Sequence, residues 1–134
     1  MIYIESTAAV KLVHNEVESA ALNLWLTERL GQPRITSALT EVEVSRAIRR
    51  GAPDALYRVA SVLATLYRIE IDAVVRATAA SLAEPMLRSL DAIHLATALQ
   101  LGAELQTFVT YDKRLRTAAE VGGLCVVSPG ILPG

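Results

Sequence analysis

The sequence predicts an α/β domain in which a mostly parallel sheet carries helices on both faces. Five short strand-like runs alternate with segments whose apolar residues recur at three- and four-residue spacing, as on one face of a helix. A parallel crossover usually contains a helix, so short strands separated by helices favour a parallel sheet. The 134 residues suffice for one domain with a buried core, and we assign residues 1–134 to a single domain.

The predicted elements follow one another in a regular order. The strands are residues 2–4 (IYI), 34–38 (RITSA), 67–71 (YRIEI), 107–111 (TFVTY) and 124–127 (LCVV). The helices are residues 17–30, 39–50, 54–67, 72–83 and 91–102, and further helices are expected to begin near Ser6 and after Asp112. Glycines 31, 51, 102 and 122 are expected to end helices, and Pro53 to begin one. The tail, residues 128–134, is expected to be loosely ordered.

Composition excludes several classes of protein. The 13 basic and 14 acidic residues nearly balance, so nucleic-acid or membrane binding would have to be local. The single cysteine, Cys125, excludes an internal disulfide and a thiolate metal site, fits a reducing cytosol, and is expected to be buried. No apolar run approaches the roughly 18 residues of a membrane span. We therefore expect a cytoplasmic, soluble protein.

Four acidic residues are predicted where strands end and helices begin. Glu5 follows the first strand, Glu43 lies just after the second, Asp91 opens an apolar helix and Asp112 ends the fourth strand. Each could serve only as a helix cap, as a partner of a helix dipole, or in a capping box with Thr40. Because the carboxyl ends of parallel strands lie at one edge of the sheet, we expect the acids to converge there.

Converging carboxylates need a positive partner. A pair about 4 Å apart repels by about 4 kcal/mol at the dielectric of a protein surface. A helix cap contributes only about 1 kcal/mol, so capping alone does not explain the arrangement. Since the sequence has no cysteine or histidine cluster of the kind that binds zinc, an all-oxygen site favours Mg²⁺ or Mn²⁺. This reasoning predicts that Asp91 is a metal ligand on a helix packed into the core.

Four segments resemble, in order and spacing, the motifs of PIN-domain ribonucleases, specifically the VapC-type toxins of bacterial toxin–antitoxin pairs. They are residues 1–12 (MIYIESTAAVKL), 35–50 (ITSALTEVEVSRAIRR), 87–99 (LRSLDAIHLATAL) and 108–115 (FVTYDKRL). The resemblance implies a compact three-layer α/β/α PIN-like domain and a Mg²⁺- or Mn²⁺-dependent endoribonuclease. It also implies a homodimer and a cognate antitoxin whose C-terminal segment covers the active site.

The resemblance also implies roles for the four acids as metal ligands and catalytic groups. Glu43, Asp91 and Asp112 match acidic residues of the family motifs. Glu41 then faces away from the cleft, because two helical positions are about 200° apart. Glu5 stands where the family almost always has aspartate, which is compatible with a tolerated variant, a weakened enzyme or an engineered substitution. The implied reaction is hydrolysis by metal-activated water, leaving a 5′-phosphate and a 3′-hydroxyl.

Other polar residues near the acids are candidates for supporting roles. Ser6 and Thr110 could orient the carboxylates, although capping or turn formation is an equal alternative. Arg46, one turn after Glu43, could pair with it. Candidate contacts to RNA phosphates, unless these residues form only solvated helix faces, are Arg49, Arg50, Lys113 and Arg114. We interpret His94 as a packed, hydrogen-bonded helix residue rather than a general base.

Two other functions are compatible with parts of the sequence. Glu5 leaves open a PIN fold that no longer cleaves and only binds its antitoxin or RNA. A phosphoacceptor receiver domain is less favoured, because no lysine follows the last predicted strand and no acid pair follows the first. The wide apolar surface of the helix around Trp25 suits the core or a protein interface. No sequence motif identifies the RNA target, whether tRNA, rRNA or mRNA, because such selectivity depends on RNA shape contacted by scattered side chains.

Overall fold

A computed structural model describes residues 1–132. Within them the strands are β1 (Ile2–Ile4), β2 (Arg34–Ser37), β3 (Tyr67–Ile69), β4 (Thr107–Val109) and β5 (Val126–Val127). The α-helices are α1 (Ser6–Val13), α2 (Ser19–Thr27), α3 (Leu39–Gly51), α4 (Val59–Leu63), α5 (Ala73–Ser81), α6 (Ser89–Leu99) and α7 (Lys113–Val121). Short 3-10 helices cover Pro53–Arg58 and Gly102–Glu104.

The strands form one parallel sheet in the order β3-β2-β1-β4-β5. β1 lies at its centre, where Ile2 pairs with Arg34 of β2 on one side and with Thr107 of β4 on the other. The predicted parallel sheet is therefore confirmed. A receiver domain has the flavodoxin-like strand order 2-1-3-4-5, so the observed order excludes that alternative.

The central strand shows why helices cover both faces of the sheet. All three of its side chains are fully buried, although neighbouring residues on a strand point to opposite faces. Ile2 and Ile4 pack against residues of α1, α2, α3 and α4, whereas Tyr3 packs against α6 and α7. Each fully buried large apolar side chain contributes about 1.5–3 kcal/mol. The three-layer α/β/α fold is thereby confirmed, with a hydrophobic core on each side of the sheet.

The apolar side chains of α2 are divided between the core and the solvent. Leu22 and Leu26 are buried in the core, whereas Leu24 is largely exposed, as is Leu30 beyond the end of the helix. Trp25 is partly buried and lies under the guanidinium of Arg29, 4.0 Å from its ring centroid. One side of this helix therefore belongs to the core, and the other presents apolar side chains to solvent.

Some local details differ from the sequence-based expectations. The predicted helix 54–67 is split into the 3-10 helix that begins at Pro53 and the short helix α4. The capping box of Thr40 and Glu43 is not formed, because α3 already begins at Leu39 and the Thr40 hydroxyl lies 2.6 Å from that of Thr36. Gly102 begins a 3-10 turn with φ of 53°, a left-handed conformation that glycine adopts without strain.

The expectation that Cys125 is buried is wrong. Its side chain is exposed. The residue precedes β5, an edge strand with only one neighbour, and its carbonyl accepts a hydrogen bond from the Phe108 N–H at 2.8 Å. Edge position therefore explains why an apolar-looking run places this side chain in solvent.

The first part of the C-terminal tail is hydrogen-bonded to the two residues that follow β4. The Ser128 hydroxyl donates to the Thr110 carbonyl at 2.5 Å, and the Tyr111 hydroxyl donates to the Pro129 carbonyl at 2.6 Å. Residues 133 and 134 lie outside the described residues, and a loosely ordered end remains a prediction for them. Within residues 1–132, no helix combines the length and apolar character needed to cross a membrane.

Candidate active site

The four acids selected from the sequence line one cleft at the carboxyl edge of the sheet. Glu5 follows β1 and Asp112 follows β4, and these strands are neighbours. Glu43 projects from α3, and Asp91 lies in the first turn of α6. The cleft has a volume of about 470 Å³ and is open to solvent. Residues far apart in the chain are thus brought together by strand and helix ends.

Glu5 is the most enclosed of the four acids, with 4% of the residue exposed. The hydroxyls of Thr110, at 2.7 Å, and of Thr7 both donate to its Oε1 atom. Burial raises the pKa of Glu5, and the charge of His94 and the two threonine hydroxyls offset only part of that rise. Among the described residues, no basic side chain forms an ion pair with Glu5. Its negative charge therefore lacks a positive partner within hydrogen-bonding distance.

Glu43 is held by two donors on one oxygen. The Ser6 hydroxyl lies 2.7 Å and the His94 Nε2 atom 2.6 Å from its Oε1 atom. Burial alone would raise the pKa of Glu43, but the hydrogen bonds from His94 and Ser6 and the charge of His94 together lower it. Ser6 and Thr110 each donate to a carboxylate, and Thr110 also accepts a hydrogen bond from the Asp112 N–H at 3.1 Å, so the turn alternative is met for Thr110 as well.

The proposed pairing of Arg46 with Glu43 is wrong. Arg46 is exposed and lines a different groove, together with Glu41 and Arg49, and it makes no ion pair among residues 1–132. The Glu43 side chain points toward α6 instead, where its Oε1 atom contacts His94 Nε2. Glu41 is exposed, as expected, and lies 3.2 Å from Arg68.

Asp91 and Asp112 bring further negative charge to the cleft. Asp91 is half-buried, and burial and the nearby charges of Asp112 and Glu43 raise its pKa, against the opposing charges of His94 and Arg88. One oxygen of Asp112 accepts a hydrogen bond from the Leu115 N–H at 2.9 Å and so caps α7. The cap interpretation of Asp112 is therefore confirmed, and the same residue also lines the acidic cleft.

The basic residues proposed to bind RNA divide among several surfaces. Arg50 lines the acidic cleft, and so does Arg88, which the sequence analysis missed. Lys113 and Arg114 line a neighbouring groove, and Arg49 lies in the groove of Arg46. Arg88 directly precedes the helix that carries Asp91, so its position in the chain could have identified it.

Two further residues of the site were also missed. Thr7 binds Glu5 and accepts a hydrogen bond from the Tyr111 N–H at 2.9 Å, and it lies two residues after Glu5 in the segment EST. Tyr3 was assigned only to a strand, yet its hydroxyl lies 2.7 Å from the Nδ1 atom of His94. His94 is fully buried and hydrogen-bonded, as interpreted, but its contact with Glu43 had no signal in the sequence.

The donor chemistry of the cleft fits a hard divalent cation. Each glutamate receives both of its hydrogen bonds on Oε1, and Asp91 has no hydrogen bond or ion pair through its carboxylate among the described residues. Within residues 1–132, no three acidic or histidine side chains already surround one point at which an ion would be enclosed. Mg²⁺ usually keeps several waters and takes one or two carboxylates, so separate carboxylates fit a hydrated ion better than a closed protein cage.

Comparisons with known proteins identify the family of the chain. The family model for the PIN domain matches residues 2–121. Over 132 residues the chain is 60% identical to Ribonuclease VapC35 of Mycobacterium tuberculosis, covering 97% of this chain and 98% of that protein.

Solved structures show the same fold. The crystal structure of Mycobacterium tuberculosis VapC20, a sarcin–ricin-loop-cleaving toxin, matches with a TM-score of 0.73 at 17% identity, over 96% of this chain and 100% of that one. A chain of a toxin–antitoxin complex from Klebsiella pneumoniae matches with a TM-score of 0.70 at 22% identity, over 96% of each chain. With 60% identity to a VapC ribonuclease over nearly its full length, the chain belongs to the PIN-domain family and, within it, to the VapC ribonucleases.

Proposed function

We propose that the chain is a Mg²⁺- or Mn²⁺-dependent endoribonuclease toxin that cleaves structured RNA in the acidic cleft. The observation that carries this proposal is the meeting of Glu5, Glu43, Asp91 and Asp112 on one cleft in a member of the VapC ribonucleases. The substrate is a structured tRNA, rRNA or mRNA. Because selection among structured RNAs depends on shape read by scattered side chains, the cleft alone does not select one of them.

The four carboxylates are the residues that would hold the metal. When bound, Mg²⁺ or Mn²⁺ would lower the pKa of a water and neutralise charge that develops on the scissile phosphate. Thr110 and Ser6 orient Glu5 and Glu43 through the hydrogen bonds described above. The attack of water on phosphorus breaks the bond to the 3′-oxygen and leaves a 5′-phosphate and a 3′-hydroxyl.

Basic residues in and around the cleft would bind the RNA backbone. Arg50 and Arg88 line the cleft itself, where a guanidinium can contact a phosphate with two parallel hydrogen bonds. Lys113 and Arg114 lie in the adjacent groove and could contact phosphates further along the strand. A local basic rim reconciles RNA binding with the nearly balanced net charge of the chain.

The proposal includes two protein partners, a cognate antitoxin and a second copy of the chain. The toxin–antitoxin complex among the structural matches supports the first, although at 22% identity it shows only a shared fold. Exposed apolar side chains such as Leu24 and Val42 offer surface for such contacts. Light scattering should give the mass of a dimer, and a monomeric mass at micromolar concentration would contradict the homodimer.

The function is tested by cleavage of an RNA panel that covers tRNA, rRNA fragments and mRNA leaders. Wild-type protein should cut at least one RNA in Mg²⁺ or Mn²⁺, leave a 5′-phosphate, and lose activity in EDTA. Expression should also arrest growth, and co-expression of the antitoxin should relieve the arrest. Cleavage that survives EDTA would contradict the metal, and neither cleavage nor growth arrest would contradict the toxin.

A second candidate is a PIN domain that binds its antitoxin or RNA without cutting. The enclosed position of Glu5 favours this candidate, since both threonine donors hold a carboxylate that is one methylene longer than aspartate. The Glu5→Asp variant separates the two, with Glu41→Gln as a control on the exposed side of α3. If only Glu5→Asp cleaves, the wild-type chain is a binding module, and if both cleave, Glu5 is a tolerated ligand.

A further inference from the structure

A buried chain of hydrogen bonds links Tyr3 on β1, His94 on α6 and Glu43 on α3. The Tyr3 hydroxyl lies 2.7 Å from His94 Nδ1, and His94 Nε2 lies 2.6 Å from Glu43 Oε1. Tyr3 and His94 are both fully buried. Packing therefore fixes the side chains of Tyr3 and His94, and of the three residues only Glu43 reaches the cleft.

The direction of these hydrogen bonds follows from their chemistry. An ionised carboxylate only accepts hydrogen bonds, so the proton of the His94–Glu43 bond is on Nε2. In a neutral ring Nδ1 is then the acceptor, and the Tyr3 hydroxyl must donate to it. The Nε2–H therefore donates to Glu43 in either charge state of the ring, and in the neutral ring the Tyr3 hydroxyl fixes the tautomer from the other side.

The orientation of the His94 ring is equally constrained. A half-turn about its Cβ–Cγ bond would place ring carbons where Nδ1 and Nε2 now lie, and both hydrogen bonds would be lost. Such a loss costs about 1 kcal/mol for a neutral bond and about 1.5–3 kcal/mol for a bond to a charged group. Tyr3 cannot follow a displaced ring, because it stacks on Phe108 with ring centroids 5.0 Å apart and an angle of 5° between planes.

The network distinguishes the two oxygens of Glu43. His94 and Ser6 both contact Oε1, and Oε2 has no hydrogen-bond partner among the described residues. Oε2 is not enclosed either, because Gln32 Oε1 is the one buried side-chain polar atom without a partner within residues 1–132. Glu43 lines the cleft, so the oxygen without a protein partner is the one available to a group bound there.

We infer that His94, anchored by Tyr3, is a positioning residue that keeps one oxygen of Glu43 occupied and the other directed to the cleft. This inference rests on the proposed function, since the free oxygen would serve the metal and the water there. His94 is buried behind Glu43 and does not itself touch the cleft. Supporting residues of this kind typically change metal affinity or activity 10- to 100-fold.

Two substitutions of His94 test the inference. His94→Gln keeps an N–H donor that can reach the place of Nε2, whereas His94→Leu fills the volume without a donor. We expect His94→Leu to bind Mn²⁺ and cleave RNA about 10- to 100-fold more weakly, and His94→Gln to recover most of both. If both variants lose function in proportion to their loss of thermal stability, or if His94→Leu equals wild type, the inference is overturned.

An NMR measurement tests the hydrogen bonds of His94 without an assay of RNA cleavage. In ¹⁵N NMR of the wild-type protein, His94 should carry a proton on Nε2, and Tyr3→Phe should shift its Nδ1 signal. An Nε2 atom without a proton, or no shift in Tyr3→Phe, would overturn the inference. If wild type shows the Nε2 proton but neither cleaves RNA nor binds Mn²⁺, the proposed function fails while the hydrogen-bond geometry of His94 stands, and only its positioning role toward the metal is lost.

Discussion

Replacing Asp91 with asparagine should lower the rate of RNA cleavage by at least about 1,000-fold, because a ligand that supports charge neutralisation at the phosphate is worth several kcal/mol. Asp91 accepts no hydrogen bond and forms no ion pair through its carboxylate among the described residues, so the amide disturbs no structural contact. Its pKa is raised by burial and by Asp112 and Glu43, so losing the charge relieves repulsion. Activity should therefore fall while the melting temperature stays the same or rises.

Single-turnover cleavage in Mn²⁺ and thermal unfolding in EDTA provide the two measurements. Asp54→Asn is the matched control, because Asp54 is an exposed aspartate in a first helical turn and lies outside the cleft. It should leave both quantities unchanged. An Asp91→Asn protein that cleaves within tenfold of wild type, or that loses activity only because it unfolds, would remove Asp91 from the site.

Replacing Glu5 with glutamine should stabilise the metal-free protein at neutral pH by on the order of 2 kcal/mol, since the amide removes an uncompensated buried charge. Glutamine keeps an oxygen that can accept the hydrogen bonds from Thr7 and Thr110. The pKa of Glu5 is raised by burial above its ordinary value of 4.5. The wild type therefore gains stability from a protonated Glu5 at pH below 4.5 and loses it as pH rises through the folded-state pKa.

The difference in melting temperature between Glu5→Gln and wild type should thus be small at low pH and grow as pH rises. Above the folded-state pKa of Glu5 the difference should be constant. Saturating Mn²⁺ at neutral pH should stabilise wild type more than Glu5→Gln, because the cation compensates the charge that the variant lacks. A difference that does not change between pH 4 and pH 7 would contradict this account of the Glu5 environment.

The fold could be predicted because its signals are local. Each strand and each helix can be recognised from a pattern of about ten residues. Because a helix between two strands usually makes the strands parallel, these elements then predict a parallel sheet. The meeting of Glu5 with Asp112 followed from the same rule, since Glu5 directly follows β1 and Asp112 lies three residues after β4 in one parallel sheet. What placed these acids is thus the topology rather than any feature of the acids themselves.

The supporting contacts could not be predicted because they join positions distant in the chain. Tyr3 and His94 are 91 residues apart, and each lies in a run of buried residues where its polar atoms carry no periodic signal. Arg46 shows the opposite error. Its one-turn spacing from Glu43 suggested an ion pair. In the structure Glu43 lines the acidic cleft and Arg46 lines a different groove, so the two side chains of α3 point to different surfaces.

Titration of the protein with Mn²⁺, followed by the electron paramagnetic resonance signal of the free ion, tests the central claim most directly. The account predicts that wild type removes free Mn²⁺ from solution, that EDTA reverses this, and that Asp91→Asn binds at least about tenfold more weakly. Glu41→Gln, altered on the exposed side of α3, should titrate like wild type. If wild type leaves the free-ion signal unchanged at millimolar Mn²⁺, the four acids do not jointly hold a divalent cation.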